Sequence, residues 1–270
     1  MPELPEVEVT RQGLAPYVTG RALHGAVVRD RRLRWPVPRA LGASLAGRVV
    51  RTIRRRGKYL LFECDDGHLI VHLGMSGSLR LLPRDAPPGK HDHVDLVFAD
   101  RVLRLHDPRR FGAVLWTRQP LEAHPLIRHL GVEPLSRSFN AARLHALTQG
   151  HRAPIKNLLM DARGIVGVGN IYASESLFLA GINPRTPARR VSRARCAQLV
   201  VAVKHTLRTA IRAGGSSLRD FVRSDGAPGH FQLRAQVYGR AGEACRRCDG
   251  TVRRIVQGQR ATYYCPQCQR

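Results

Sequence analysis

The sequence predicts an α+β chain of more than one domain, and three observations carry that prediction. Residues 20–120 hold short runs of alternating apolar residues broken by turn residues. From Phe139 onward the apolar spacing becomes helical. The stretch after Tyr238 is short and basic and carries two Cys-x2-Cys pairs. At 270 residues more than one domain is the natural expectation. We expect boundaries at 1–130 (β-rich), 131–235 (helical) and 236–270 (cysteine-bearing).

The chain opens Met1-Pro2-Glu3-Leu4-Pro5-Glu6. Pro5 suits the first turn of a helix, where its missing N–H is not needed. Glu3 and Glu6 can share one face at that helix start, where the helix dipole favours carboxylates. Arg51 to Phe62 reads as a β pattern. Asp65-Asp66-Gly67 is a hairpin turn leading into His68 to Leu73. Val94 to Phe98 alternates, turns at Ala99-Asp100 and resumes as Arg101 to His106. Short strands at this spacing suggest a sandwich or a barrel. Arg84 to Lys90, with Pro87-Pro88-Gly89, reads as a mobile loop, and Leu121 to Ser138 as a linker. Arg193 to Ala213 is the clearest helix, with Leu199, Val203, Leu207 and Ile211 in register. Gly214-Gly215 stops it, and a loop follows through Asp225 to Gly229. Val252 to Val256 and Arg260 to Tyr264 read as two strands joined at Gln257-Gly258-Gln259.

The formal charge is +25, spread from Arg11 to Arg270, which points to a polyanionic partner bound by folded surfaces. Of the 45 basic residues 41 are arginine, so the lysines Lys58, Lys90, Lys156 and Lys204 are candidates for positions needing a compact ammonium. We find no apolar stretch long enough to cross a bilayer. The acidic N-terminus lacks an apolar signal core, so a bacterial cytoplasmic, nucleoid-associated location is expected.

Four motifs carry chemistry. Met1 precedes a small residue and is expected to be trimmed, leaving Pro2 with a free secondary amine. An α-amino group has a pKa of about 8, so part of it is nucleophilic at neutral pH. A secondary amine condenses with an aldehyde-like carbon to an iminium that stays cationic at any pH, and an adjacent Glu can shuttle protons. Cys245, Cys248, Cys265 and Cys268 have the spacing of a structural zinc site with no open coordination position; disulfides are the alternative, disfavoured inside a cell. Cys64 and Cys196 read as inert core thiols. Gly164 to Asn170 reads as a glycine-permitted turn placing Asn170 at a helix start, as a phosphate site or as a plain cap. Met75 between glycines, and Arg109 beside Phe111 in Asp107-Pro108-Arg109-Arg110-Phe111-Gly112, suit wedging into a duplex or simple core and surface roles.

Taken together, these motifs resemble the formamidopyrimidine-DNA glycosylase family nearly end to end. They run as PELPEVE at 2–8, HLGMSGSLR at 72–80, KHDHVDLVF at 90–98, DPRRFG at 107–112, GVGNIYASE at 167–175 and the closing YYCPQCQ. The resemblance implies an N-terminal β-sandwich with a leading helix, a helix-two-turn-helix domain and a zinc-finger hairpin, with damaged double-stranded DNA between domains. It implies excision of oxidised purines and strand cleavage, with Pro2 as nucleophile and Glu3 as proton donor or acceptor. Lys58 and Arg260 join the catalytic set beside the strand's phosphates, which His72, Asn170 and Tyr238 also contact. Met75, Arg109 and Phe111 fill the space of a flipped nucleotide, Lys156 contacts the lesion, and Ser217 to His230 closes over the base. It implies one structural Zn2+, no small-molecule cofactor and, as the simplest assumption, a monomer. Two other readings are an endonuclease VIII-type enzyme for oxidised pyrimidines and a non-catalytic zinc-containing DNA-binding protein.

Overall fold

A computed structural model describes residues 1–216, 231 and 235–270. The chain forms two compact units, Met1–Arg128 with Ala213–Gln232, and His129–Arg212 with Leu233–Arg270. The expected loop from Ser217 to His230 lies outside the described residues.

The first unit begins with α1 (Leu4–Val18) and continues with β1 (Gly25–Val28) and α2 (Leu41–Leu45). Seven strands follow: β2 (Val50–Arg56), β3 (Tyr59–Cys64), β4 (Gly67–His72), β5 (Ser78–Pro83), β6 (Asp92–Val97), β7 (Arg101–His106) and β8 (Ala113–Thr117). They form two antiparallel sheets in the orders β1-β6-β7-β5 and β2-β3-β4-β8. Alternation puts Leu60, Phe62, Leu69 and Val71 of one sheet in a common core with Val94, Leu96, Leu103 and Leu105 of the other. This is the β-sandwich, one of the two architectures the strand spacing allowed. The leading helix closes on the same core through Val7, Leu14 and Val18, each fully buried. Each such side chain contributes roughly 1.5–3 kcal/mol on burial.

One expectation is refined and one revised. The β pattern of Arg51 to Phe62 is a hairpin: the chain reverses at Gly57-Lys58, with Gly57 at φ +57°, so Lys58 sits in the turn between β2 and β3. The sequence hid this turn because strand-like residues flank it on both sides. Arg84 to Lys90, read as mobile, is tied to the sheet. Buried Arg104 on β7 donates to the carbonyls of Ala86 and Pro87, each at 2.9 Å, and Asp92 accepts from the Gly89 N–H at 2.8 Å. Asp95 holds Arg104 in place with two contacts of 2.8 Å, so a buried charge satisfied on every side fixes the loop backbone.

The second unit is helical: α3 (Ala141–Thr148), α4 (Ile155–Leu159), α5 (Asn170–Leu179) and α6 (Arg193–Arg212), followed by the hairpin β9 (Arg253–Gln257) and β10 (Arg260–Tyr264). Asn140 caps α3 by accepting from the Arg143 N–H. α6 matches the periodicity read from sequence, burying Leu199, Val203 and Leu207. It ends before Gly214 and Gly215, which take φ +76° and +80°. Gly258 and Gln259, at φ +52° and +60°, make the two-residue turn that fits a twisted hairpin. Val132 forms a parallel bridge to Ile165, and the adjoining Gly131 approaches so closely that a Cβ there would lie 2.2 Å from the Gly164 carbonyl.

Candidate active site and nucleic-acid interface

In the first unit, Pro2, Glu3 and Glu6 are buried at the start of α1, while Met1 remains exposed. The Glu3 N–H donates to Glu6 Oε2 at 2.8 Å, and the Ser216 N–H donates to Glu6 Oε1 at 2.8 Å. One carboxylate therefore fixes both the backbone beside Pro2 and the backbone at Ser216. Further along α1, Glu8 holds Arg55 of β2 at 3.1 Å, and Arg55 donates to the Gly57 carbonyl at 2.9 Å. This chain of contacts ties the helix to the Lys58 turn. Burial opposes ionisation of Glu8, but its hydrogen bonds to Arg11 and the nearby Arg55 charge prevail and hold its pKa below the usual carboxylate range.

Strand register gathers the other first-unit candidates. Tyr59 pairs with His72, and His72 pairs with Ala113. The Lys58 turn, the segment after His72 and the Asp107–Gly112 turn before β8 therefore lie at one end of one sheet. The His72 ring packs on Tyr59 with centroids 4.8 Å apart. Its Nδ1 accepts from the Gly74 N–H at 3.0 Å, which leaves Nε2 as the donor. Burial, reinforced by the Lys58 and Arg34 charges, pushes the His72 pKa down to about 4, so the ring is neutral at pH 7.

The turns carrying Met75 and Phe111 meet backbone to backbone. Gly74 has φ +66°, and a Cβ there would lie 2.6 Å from the Phe111 carbonyl carbon, so only glycine fits. Met75 is 37% exposed and Phe111 40% exposed, so both depart from the core-packing reading. The structure also separates the paired arginines. Arg109 lies over the Phe111 ring, 5.0 Å from its centroid, whereas Arg110, at φ +56°, pairs with Asp30 at 3.1 Å. Buried Asp107 shapes the turn by accepting the Gly112 N–H at 2.7 Å, and burial pushes its pKa up.

In the second unit, Asn170 is the first residue of α5 and Gly169 is its N-cap, so Asn170 is not the plain cap that sequence allowed. Its side chain is used sideways: Oδ1 accepts from Lys156 Nζ at 2.5 Å, and Nδ2 donates to the Tyr238 hydroxyl at 3.2 Å and the Ala261 carbonyl at 2.9 Å. Lys156 is only 1% exposed and donates further to Thr262 Oγ1 at 2.6 Å and the Ala261 carbonyl at 3.3 Å. Its ammonium is thus spent inside the unit, joining the start of α5 to the strand that begins with exposed Arg260. Three acceptors inside the unit hold this ammonium, so direct contact with a lesion, as the resemblance implied, would require it to exchange one of them.

Glu175 was not singled out from the sequence, although it closes the GVGNIYASE run as the one charged residue of α5. Its carboxylate accepts the N–H groups of Gln236 at 2.8 Å, Val237 at 3.0 Å and Tyr238 at 2.8 Å. Burial pushes its pKa up against the pull of those donors. Tyr238 is thereby held from its backbone by Glu175 and from its hydroxyl by Asn170. Thr262 was also missed, since one Thr in a β-hairpin gives no signal.

The four sulfurs of Cys245, Cys248, Cys265 and Cys268 lie within 4.8 Å of one another. Pairs stand 3.9 Å (Cys245–Cys268), 3.6 Å (Cys248–Cys265) and 3.4 Å (Cys248–Cys268) apart. Tetrahedral zinc with Zn–S of about 2.3 Å needs sulfur separations of about 3.8 Å, so the donor set fits Zn2+. The Arg247 and Gly250 N–H groups each approach a sulfur at 3.4 Å, as expected around thiolates. Cys64 and Cys196 are buried thiols; burial, with the Asp65 charge, pushes Cys64 up to about 11.

Three family models match successive parts of the chain: the formamidopyrimidine-DNA glycosylase N-terminal domain over residues 1–114, the H2TH domain of the same proteins over 130–222, and a zinc finger found in FPG and IleRS over 242–270. A formamidopyrimidine-DNA glycosylase of Bordetella pertussis is 58% identical over 274 residues, covering both chains fully. One of Cupriavidus pinatubonensis is also 58% identical, over 283 residues with full coverage of both. The crystal structure of the MutM (FPG) protein from Thermus thermophilus superposes with a TM-score of 0.89 at 41% identity, over 99% of this chain and 98% of that one. A Lactococcus lactis FPG mutant in complex with Fapy-dG-containing DNA gives 0.91 at 35% identity, over the whole of both chains.

Proposed function

The chain belongs to the formamidopyrimidine-DNA glycosylase family of DNA-repair enzymes, and from that premise we propose that it excises oxidised purines, 8-oxoguanine and formamidopyrimidines, from duplex DNA and then cleaves the strand as an AP lyase. The Pro2 nitrogen, freed of Met1, attacks the deoxyribose C1′ as the C1′–base bond breaks and the base leaves. The Pro2 nitrogen then loses its proton and the C1′–O4′ bond breaks, the ring oxygen taking a proton from Glu3, which opens the sugar and leaves a C1′=N iminium. That cation acidifies the C2′ hydrogen, so loss of that proton expels the 3′ phosphate. A second elimination expels the 5′ phosphate and leaves a one-nucleotide gap. Glu3 exchanges protons at the sugar, and Lys58 and Arg260 serve the two eliminations.

The observation that carries this reading is the convergence at one sheet end of Lys58, neutral His72 and the exposed Met75 and Arg109–Phe111 turns. Chemistry at C1′ requires the nucleotide out of the stack, and an exposed thioether, an aromatic ring and a guanidinium are suited to occupy the space it vacates. Neutral His72 offers a phosphate one N–H donor and no charge. In the second unit Asn170, Tyr238 and Arg260 serve as phosphate contacts, and Lys156 and Glu175 position them. Cys245, Cys248, Cys265 and Cys268 hold one Zn2+, which folds the hairpin and takes no part in bond-making.

Borohydride reduction in the presence of 8-oxoguanine duplex tests the assignment. The trimmed protein is expected to give a covalent protein–DNA adduct, and protein with an acetylated N-terminus none. Equal trapping by both would refute the role of Pro2, and trapping by neither would favour a binding-only protein. A parallel duplex carrying an oxidised pyrimidine separates the endonuclease VIII-type reading, which requires faster cleavage of that substrate.

A further inference from the structure

A groove of about 730 Å³ lies within the second unit, between the end of α5, the exposed face of α6 and the first cysteine knuckle. Leu179, Ala197 and Val201 give it an apolar lining, and His205, Arg247 and the zinc-site cysteine Cys268 also border it. Two of its side chains are anomalous for a buried-core protein. α5 is buried from Ile171 through Phe178, yet its last residue, Leu179, is 45% exposed. Val201 is 68% exposed in the middle of α6, where a β-branched apolar residue contributes nothing to the core and is a weaker helix former than alanine.

Arg247 in the lining is basic, and so is every charged side chain of α6. α6 holds Arg193, Arg195, Lys204, Arg208 and Arg212 and not one acid over twenty residues. Arg247, His205 and Arg208 form no ion pair among the described residues. The groove stands at the opposite end of α5 from Asn170, about 13 Å along the axis at 1.5 Å per residue, so it is separate from the phosphate contacts proposed above.

We propose that this groove docks a partner protein through an acidic segment bearing bulky apolar anchors, the anchors seated between Leu179 and Val201 and the carboxylates facing Arg247 and Arg208. An apolar slot flanked by unpaired cations selects that chemistry. A second copy of this chain is a poor match, because 45 basic residues against 20 acidic make two copies repel. Nucleic acid has phosphates for the arginines but no apolar side chain for the slot. The inference does not depend on the catalytic reading.

Fluorescence anisotropy of the full-length zinc-bound protein tests it, with a labelled peptide in which a Leu-Phe pair is flanked by aspartates. Saturable binding is expected, weakened about tenfold or more by Val201→Asp and severalfold by Arg247→Ala. A peptide with Ser-Ser in place of Leu-Phe is expected not to bind, and added salt to weaken the complex. Unchanged melting and an unchanged far-UV circular dichroism spectrum of Val201→Asp establish that the variant is folded. No saturable binding, equal binding by the Val201→Asp protein, or equal binding of the Ser-Ser peptide would overturn the proposal. Displacement of the peptide by a single-stranded oligonucleotide whose own binding is lost in Val201→Asp would also overturn it, assigning the groove to nucleic acid.

Discussion

His72 offers a quantitative test of the site at the sheet end. Its pKa is about 4 in the folded protein against 6.5 for an ordinary histidine, because burial and the Lys58 and Arg34 charges disfavour the imidazolium. The unfolded chain therefore takes up a proton near pH 6.5 that the folded chain refuses until near pH 4. The stability that neutral His72 confers is complete above about pH 6.5 and is lost as pH falls from there toward 4. Between pH 7 and pH 5 this single group costs about 2 kcal/mol, and the full loss below pH 4 approaches 3–4 kcal/mol. The assay is urea denaturation at both pH values followed by tryptophan fluorescence, which reports the first unit because Trp35 and Trp116 both belong to it. Other groups also titrate in this range, so the informative quantity is the difference between wild type and His72→Gln. Gln keeps an acceptor for the Gly74 N–H but has no proton to gain. The variant is expected to lose about 2 kcal/mol less than wild type on acidification. If both proteins lose equal stability between pH 7 and pH 5, His72 is not held neutral and the account of its environment is wrong.

Four further outcomes are expected. Lys156→Met removes the donor to Asn170 Oδ1 and Thr262 Oγ1; it should destabilise the second unit by about 2–4 kcal/mol in denaturation followed by circular dichroism, and Lys156→Arg should not restore it, because the pocket is shaped to a compact ammonium. Glu175→Gln leaves an amide among three N–H donors and should weaken DNA binding together with stability, by about 1–3 kcal/mol in the latter. Metal analysis should find one zinc per chain, and its removal by a chelator, or Cys265→Ser, should abolish DNA binding while the tryptophan-monitored transition of the first unit persists. Affinity for duplex DNA should fall steeply and linearly on a log–log salt titration; a flat titration would contradict binding through phosphates.

Much of this molecule can be read along one dimension. The alternation at Val94 to His106, the fourfold apolar spacing from Leu199 to Leu207 and the Cys-x2-Cys spacing each encode a local geometry, because strand, helix and metal knuckle are set by neighbours a few residues apart. The charge of +25 and the ordered family motifs are likewise properties of the string, and they point to DNA repair without a coordinate. Local pattern could not decide where long-range contacts act. A turn at Gly57-Lys58 is concealed within continuous strand-like sequence and becomes visible only through the pairing of β2 with β3. The loop from Arg84 to Lys90 looks free until Arg104, seventeen residues away or more, claims its carbonyls. Composition marked Lys156 as a candidate for a site needing a compact ammonium, but only the fold names its partners, Asn170 and Thr262, and makes it a buried brace. Glu175 and Tyr238, 63 positions apart, meet because α5 and the chain before the zinc hairpin share one core. A sequence specifies the chemistry a residue is able to perform; whether that chemistry faces solvent or is spent on a neighbour depends on burial and on distant partners, which only the folded chain supplies.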